Sequence, residues 1–172
     1  LTINSENSVF ELNSLSADEF PKFVPLDKEN SFELNVEQIK KIFTKTKFAI
    51  SSEETRYYLN GVYFHTIKID EKNILKAVAT DGHRLAKTEL VISSSIEIEG
   101  IILPRKFILQ LDKMLGDFEG KIKIVCSETQ VSFEADNFVI ISKLIDGKFP
   151  DYEKVIPISN DKFLEVESEP FF

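Results

Sequence analysis

The 172-residue sequence contains no tryptophan, one cysteine, one methionine and two histidines. Because Cys126 has no second cysteine to pair with, an internal disulfide is excluded, and we expect a cytoplasmic location. Neither His65 nor His83 has a cysteine at metal-ligand spacing, so the pattern does not indicate a metal site. We expect no other cofactor either.

Long apolar runs are also lacking, and basic residues are fewer than acidic ones. No run approaches the roughly 20 apolar residues that span a bilayer, so we expect no membrane partner. Residues 1–5 lack a charged start, an apolar core and an initial Met, which predicts neither a signal peptide nor a native N-terminus. Lys and Arg number 21 against 29 Asp and Glu, and the resulting net charge of −8 by itself argues against a nucleic-acid partner.

Apolar residues, by contrast, are plentiful enough for a substantial core. They make up 42% of the chain and include 15 Phe, and the length suits one domain plus part of another. Residues 1–30 are polar and broken: 9–12 predict a short strand, and 20–25 form an extended stretch interrupted by proline. We interpret this segment as the end of a separate unit followed by a linker.

From residue 31 onward, one pattern of elements occurs twice. Phe32 and Leu34 alternate with polar residues as in a strand, and a helical pattern follows Asn35, an N-cap type of residue with Gln38 three positions later. Three strands are then predicted, at 57–68, 73–81 and 86–93. The second copy has a strand at 100–103, a helix from Pro104 ended by Gly116, and strands at 121–127, 130–134 and 138–144.

The predicted fold class is α+β, with a duplicated strand–helix–three-strand unit and both helices on one face of antiparallel sheets. The helix positions expected to face the core are Val36, Ile39, Ile42, Phe43 and Thr46, then Phe107, Ile108, Leu111, Met114 and Leu115.

The predicted helices are basic although the chain as a whole is acidic. Residues 36–48 hold four Lys against one Glu, and residues 104–115 hold three basic residues against one Asp. Lys41 and Lys45 lie one turn apart, away from the apolar stripe, as do Lys106, Gln110 and Lys113. Such residues often only solvate a helix surface. The alternative is a shallow positive surface that contacts phosphates without reading sequence.

No catalytic signature is present. Asp81 stands two residues before His83, which could suggest an acid–base pair, but no nucleophile occurs in a recognisable setting and no Walker-type phosphate loop exists. We therefore expect a protein that is not an enzyme.

Four strings, in order, resemble segments of the bacterial beta sliding clamp family, the beta subunit of DNA polymerase III. They are RYYLNG at 56–61, ATDGHRLA at 79–86, LPRK at 103–106 and SKLIDGKFPDY at 142–152. The resemblance implies the DNA clamp fold, in which similar domains form a ring around duplex DNA. It assigns residues 1–30 to the end of a first clamp domain and its linker, 31–157 to the middle domain, and 158–172 to a linker and the start of a third.

The same resemblance implies a processivity factor that tethers the replicative polymerase to duplex DNA, as a homodimeric ring in the full-length protein. The polymerase catalytic subunit, the clamp loader and repair proteins would bind through short peptide motifs. The implied DNA-binding residues are Arg56, Tyr57, Tyr58, Arg105 and Lys106. We add Lys41 and Lys45, on the exposed face of the first predicted helix, to the predicted DNA-binding surface. The implied peptide pocket comprises Leu59, Thr80, Gly82, His83, Arg84, Leu85, Pro150, Lys154 and Val155.

Two positions depart from the family pattern. Lys154 stands where some clamps carry Arg, which keeps the charge but loses the planar fork. Glu53 replaces a Gln found in some clamps. The FPDY loop could also be packed inward as ordinary core. The alternative function is a generic α+β protein-interaction domain without a role on DNA.

Overall fold

The computed structural model describes residues 1–20, 26 and 31–167. Two short strands, β1 (Thr2–Ser5) and β2 (Ser8–Glu11), open the chain as an antiparallel hairpin with exposed side chains. The predicted strand at 9–12 corresponds to β2, whereas β1 was not predicted. Most of the proline-interrupted stretch at 20–25, and most of the linker that follows it, lie outside the described residues.

The predicted order of strand, helix and three strands is confirmed in both copies. The first copy consists of β3 (Ser31–Asn35), α1 (Val36–Thr46), β4 (Gly61–Ile69), β5 (Lys72–Thr80) and β6 (Leu85–Ile92). The second consists of β7 (Ile101–Pro104), α2 (Arg105–Leu115), β8 (Lys121–Cys126), β9 (Gln130–Ala135) and β10 (Phe138–Lys143). No helix in the described ranges is long and apolar enough to cross a membrane.

Two predicted boundaries need correction. The strand expected from residue 57 starts at Gly61, because Glu54–Leu59 forms 3₁₀ turns on either side of a kink at Arg56. The Arg56 side chain forms an i,i+3 ion pair with Glu53. A Cβ at Gly61 would lie 2.2 Å from the carbonyl oxygen of Leu103, so the close approach of β4 to β7 requires glycine there. Pro104 ends β7 and caps α2 instead of standing in its first turn.

The two copies exchange their first strands. One sheet has the order β10-β9-β8-β3 and the other β6-β5-β4-β7, with every neighbouring pair antiparallel. Each helix therefore starts where a strand of its own copy pairs with the other copy. The first backbone N–H of each helix closes this junction: Val36 donates to the Gly120 carbonyl and Arg105 to the Asn60 carbonyl, both at 2.9 Å.

Both helices pack against one another and against the sheets, around a central core. All predicted core positions of the helices are buried except Met114, which is 38% exposed at the last turn of α2. The side chain of Gln38 accepts a hydrogen bond from the Asn35 backbone N–H at 2.9 Å, as the capping pattern predicted. Lys47, just after α1, forms an ion pair with Asp112 of α2.

A second apolar cluster lies on the opposite face of the β6-β5-β4-β7 sheet. This outer cluster consists of Leu59, Val78, Ile102, Phe149 and Tyr152. Along β5, Leu75 and Ala77 face the central core while Lys76 and Val78 face the outer cluster, following the two-residue period of a strand. Since Phe149 and Tyr152 come from the loop after β10, that loop covers the outer face of this sheet.

Candidate functional site

A cleft of about 350 Å³ opens at the end of the β5–β6 hairpin, beside the outer cluster. Its lining residues come from three separate stretches of chain: Leu59, Thr80, Gly82, His83, Arg84, Leu85, Pro150, Asp151, Tyr152 and Val155. The fold thus brings together every predicted pocket residue except Lys154. One side of the cleft is the segment 149–155, which we call the wall segment.

The turn between β5 and β6 forms the polar side of the cleft. The Asp81 carboxylate accepts hydrogen bonds from the backbone N–H groups of His83 and Arg84 at 2.9 and 3.0 Å. These two bonds are the main reason why the pKa of Asp81 is lowered to about 2. Gly82 adopts φ +89°, which favours glycine, and its N–H donates to the Thr80 hydroxyl at 3.1 Å.

Within the described residues, the Asp81 carboxylate forms no hydrogen bond with the imidazole of His83, so the two side chains do not form an acid–base pair. Asp81 contacts the backbone of His83, and its second carboxylate oxygen accepts from the Nε of Arg84 at 3.1 Å. The carboxylate is held in its ionised form by the turn that it closes. Its role is to fix the backbone of the cleft rim.

The apolar part of the cleft is graded in exposure. Leu59 is buried in the outer cluster, Leu85 is half-buried, and Val155 is 68% exposed. Pro150 is exposed, whereas its neighbour Phe149 is buried. Within the FPDY loop, Phe149 and Tyr152 pack inward, whereas Pro150 and Asp151 are exposed and line the cleft, as one side of Tyr152 also does.

Lys154 does not line the cleft. Its ammonium forms an ion pair with Asp151 at 2.9 Å, and 81% of its side chain is exposed. The hydrogen bond from Lys154 is the main cause of the lowered pKa of Asp151. Asp151 and Tyr152 do line the cleft and were not predicted, although the FPDY string that contains them had been singled out.

Arg56, predicted to contact DNA, lies against the rim of this cleft. A Cβ at Gly82 would come within 2.6 Å of its Nη1 atom. Glu53 engages the guanidinium, with a distance of 2.7 Å from Arg56 Nε to Glu53 Oε2, and this hydrogen bond lowers the pKa of Glu53. Arg84, on the other side of the turn, stands 5.7 Å from the centre of the exposed Phe48 ring.

The remaining predicted DNA-binding residues lie on or near the helices. Lys41, Lys45, Arg105 and Lys106 are exposed, and none of them forms an ion pair with another described residue. Tyr57, Arg105 and Lys106 share a hollow of about 810 Å³ at the start of α2. Tyr58 is half-buried, and its ring packs edge-on to that of Tyr57 at 5.8 Å. No cluster of potential metal ligands occurs among residues 1–20, 26 and 31–167.

The family model described as DNA polymerase III beta subunit, central domain, matches residues 33–151. The chain belongs to this family. The beta sliding clamp of Caulobacter vibrioides is 38% identical over 172 residues, which cover 99% of this chain and 46% of the relative. The beta sliding clamp of Escherichia coli is 35% identical over 166 residues, covering 96% of this chain and 44% of the relative.

Solved structures of sliding clamps have the same fold. The sliding clamp of Bartonella birtlesii bound to griselimycin superposes with a TM-score of 0.84 at 42% identity, over 93% of this chain and 43% of that one. The clamp of Bacillus subtilis gives a TM-score of 0.80 at 33% identity, over 92% and 41% of the two chains. The DNA clamp fold is thereby confirmed. The chain spans less than half the length of the relatives it matches.

Proposed function

We propose that the full-length protein is the processivity factor of the replicative DNA polymerase, a ring-shaped sliding clamp around duplex DNA. The observation that carries the proposal is a clamp-fold domain in which two equivalent helices expose basic side chains, while the chain as a whole has a net charge of −8. Basic helices attract phosphates without reading bases, and an acidic remainder limits tight contacts that would stop sliding.

Within such a ring, the DNA-facing surface is formed by the exposed side chains of both helices and the 3₁₀ segment before β4. Arg105 and Lys106 stand beside the exposed Tyr57 ring, and Lys41 and Lys45 extend the positive surface along α1. Arg56 contributes from the edge of this surface, where Glu53 already neutralises it. Binding of duplex DNA is non-specific and depends on salt.

The cleft receives short peptide motifs of the polymerase catalytic subunit, the clamp loader and repair proteins. A small groove with apolar residues and a few fixed polar groups is how short peptide anchors are usually held. The expected ligand is an extended segment with a leading Gln and a trailing Leu and Phe. Griselimycin, which is bound to the Bartonella clamp in its solved structure, is a useful second probe. Lys154, which pairs with Asp151 beside the cleft, keeps its predicted place as a contact for the peptide.

The domain assignment follows the same proposal. Residues 1–30 belong to the first clamp domain and its linker, 31–157 form the middle domain, and 158–172 lead into a third domain. The full-length protein forms a homodimeric ring in the cytoplasm, catalyses no reaction and needs no cofactor. Tethering raises the effective concentration of the polymerase at the primer end, which is a topological effect.

The test is Leu85→Asp in the full-length protein, because a charge in the apolar part of the cleft would cost several kcal/mol on ligand binding, by order of magnitude. Binding of a fluorescein-labelled peptide with the expected Gln and Leu-Phe residues is measured together with thermal unfolding. Val139→Asp, at an exposed apolar position on the other sheet, is the matched control. Lost binding with a nearly unchanged melting curve supports the cleft; retained binding or a collapsed fold contradicts it.

A salt titration separates the proposal from a protein-interaction domain without a DNA role. The full-length protein, loaded or mixed with random duplex DNA, should bind more weakly as salt rises, in proportion to the number of phosphate contacts. An interaction domain with no DNA surface would bind duplex DNA at none of the salt concentrations.

A further inference from the structure

The wall segment is attached to the sheet beneath it through side chains. In the described part of the chain, no backbone–backbone hydrogen bond joins residues 149–155 to a strand. The Phe149 ring stacks on Tyr63, with centroids 4.7 Å apart and planes within 2°. Farther along, the Tyr152 hydroxyl lies 2.9 Å from His65 Nε2. The position of this side of the cleft therefore depends on a few specific side-chain contacts.

Three polar residues form a row across the sheet under the wall segment. His65 on β4 is paired with Lys76 on β5, and Lys76 is paired with Glu89 on β6. Only 9% of the Lys76 side chain is exposed, and it is the one buried charged residue among those described. A buried ammonium group requires a close counter-charge, because water no longer solvates it.

The wall segment supplies that counter-charge. Glu153 accepts a hydrogen bond from Lys76 Nζ at 3.0 Å, whereas the Glu89 carboxylate is 3.9 Å away and forms a closer pair with Lys87 at 3.0 Å. The hydrogen bond from Lys76 is the main cause of the lowered pKa of Glu153, so Glu153 is ionised at neutral pH. The wall segment is thus held to β5 by a charge-assisted hydrogen bond.

The second contact is between neutral groups. Burial is the main cause that lowers the pKa of His65, and the nearby Lys76 charge lowers it further, so the imidazole is uncharged at neutral pH. Burial likewise raises the pKa of Tyr152 and keeps its hydroxyl protonated. Because Tyr152 and Glu153 are adjacent, the contacts with His65 and Lys76 both hold one short 3₁₀ turn, Tyr152–Val155, against the sheet.

We propose that Lys76 and His65 are positioning residues for the cleft: by holding Glu153 and Tyr152, they fix how far the wall segment stands from the β5–β6 turn. The inference rests on the proposed peptide-binding function. Pro150 and Val155, which line the cleft, flank the anchored pair on either side. Lys76 and His65, which do not line the cleft, thereby set the width available to a bound peptide without touching it.

The experiment compares Glu153→Gln, Tyr152→Phe and the double variant Lys76→Met/Glu153→Gln in the full-length protein. Tyr152→Phe removes only the hydroxyl and keeps the ring in the outer cluster. Glu33→Gln, which breaks an exposed ion pair with Lys121 on the other sheet, is the matched control. Amide hydrogen exchange across residues 150–156, thermal unfolding and binding of the labelled peptide are measured for each protein.

Both single variants should exchange faster at residues 150–156 and bind the peptide about three- to tenfold more weakly. Tyr152→Phe loses a hydrogen bond, and Glu153→Gln loses the charge that strengthens the bond from Lys76. The double variant discriminates between positioning and stability. Lys76→Met removes the buried charge, whose remaining carboxylate in Glu153→Gln is Glu89 at 3.9 Å, and recovers part of the lost thermal stability. The wall segment remains unattached, so peptide binding stays weak. Glu33→Gln should change neither exchange at residues 150–156 nor binding.

Unchanged exchange in both single variants would overturn the proposal. Recovery of peptide binding together with stability in the double variant would also overturn it, because the contacts would then act only through folding. A wild-type protein that fails to bind the peptide would instead contradict the proposed function. In that case the exchange data still decide whether the anchors hold the wall segment.

Discussion

The two four-stranded sheets carry similar rows of polar and charged residues on their outer faces, and the candidate peptide cleft lies beside one of them. On the sheet that contains β8, Glu33, Lys123 and Glu134 are direct neighbours across three strands, and Lys123 is half-buried. On the other sheet, the corresponding lysine is Lys76, which is buried. The difference lies in what covers the sheet.

The covering chain is the loop that follows β10. It crosses from one sheet to the other, where the backbone N–H of Ile145 donates to the Ile102 carbonyl on β7 at 3.0 Å. Phe149 and Tyr152 then pack onto the outer cluster. The two outer faces thus differ in structure because the loop after β10 covers one of them, and the cleft lies at the edge of that loop.

The largest expected effects concern the core that both copies share, and they test whether the two halves are equally integrated. Ile39 on α1 and Ile108 on α2 are both fully buried. Replacing either by Ala should lower the free energy of unfolding by about 2–5 kcal/mol, and the two costs should be similar. Urea unfolding measures both. A cost that is negligible for one helix would show that the halves do not form one cooperative unit.

The next prediction compares the helix surface with the outer sheet face. In the full-length protein, replacing Arg105 and Lys106 with Ala should weaken binding to duplex DNA and reduce the salt slope by about 1 for each phosphate contact removed. Peptide binding should remain intact. The control pair is Lys123→Ala with Lys143→Ala, on the other sheet. If the control weakens DNA binding as much, then overall charge and not the helix surface governs binding.

The contribution to stability of Lys76, which the wall segment covers, can be compared with that of Lys123 on the other sheet. Lys76→Met should destabilise the domain by about 1 kcal/mol, because it removes a hydrogen bond to the Glu153 carboxylate. Lys123→Met, whose side chain forms no ion pair with another described residue, should change stability by less than about 0.5 kcal/mol. Chemical denaturation of the two variants gives the difference. If both variants lose the same free energy of unfolding, burial under the wall segment adds nothing to the stabilisation by Lys76.

The smallest effect is a pH dependence confined to the covered face. The pKa of His65 lies below its usual 6.5 in the folded protein, so the unfolded chain binds a proton more readily. Its contribution to stability is complete above pH 6.5 and is lost as the pH falls toward the lowered folded value. Glu153 and Asp151 lose their contributions only below pH 4.5, since their usual pKa values are 4.5 and 3.8.

Unfolding midpoints of the wild type and His65→Gln, measured at pH 7.5 and 5.5, check the sign of this dependence. Gln retains a group that can hydrogen-bond to Tyr152 but does not titrate. The wild type should lose more stability than His65→Gln between the two pH values. A variant that loses as much as the wild type would assign the dependence to other groups.

Local signals in the sequence were sufficient for the order of helices and strands from residue 31 onward, and the family resemblance supplied the predicted cleft residues. The helical periodicity from Val36 and the Asn35–Gln38 cap correctly predicted α1, and Gly116 correctly marked the end of α2. The four strings matched family segments closely enough to be recognised, and two of them contain Leu85 and Pro150. Lys154, two residues beyond the last string, was expected in the pocket, and its side chain instead pairs with Asp151 beside the cleft. The direction of a side chain in a short 3₁₀ turn has no sequence signature, and a peptide contact of Lys154 stays a prediction.

The sequence by itself determined the repeated order of strand, helix and three strands, because side-chain periodicity and capping are local properties. The tertiary structure alone decided that β3 and β7 exchange between the copies, that Lys76 is buried under Glu153, and that Arg56 lies against Gly82. These contacts join residues far apart in the chain. They depend on which strands pair and which loop covers them, and no local pattern specifies that choice.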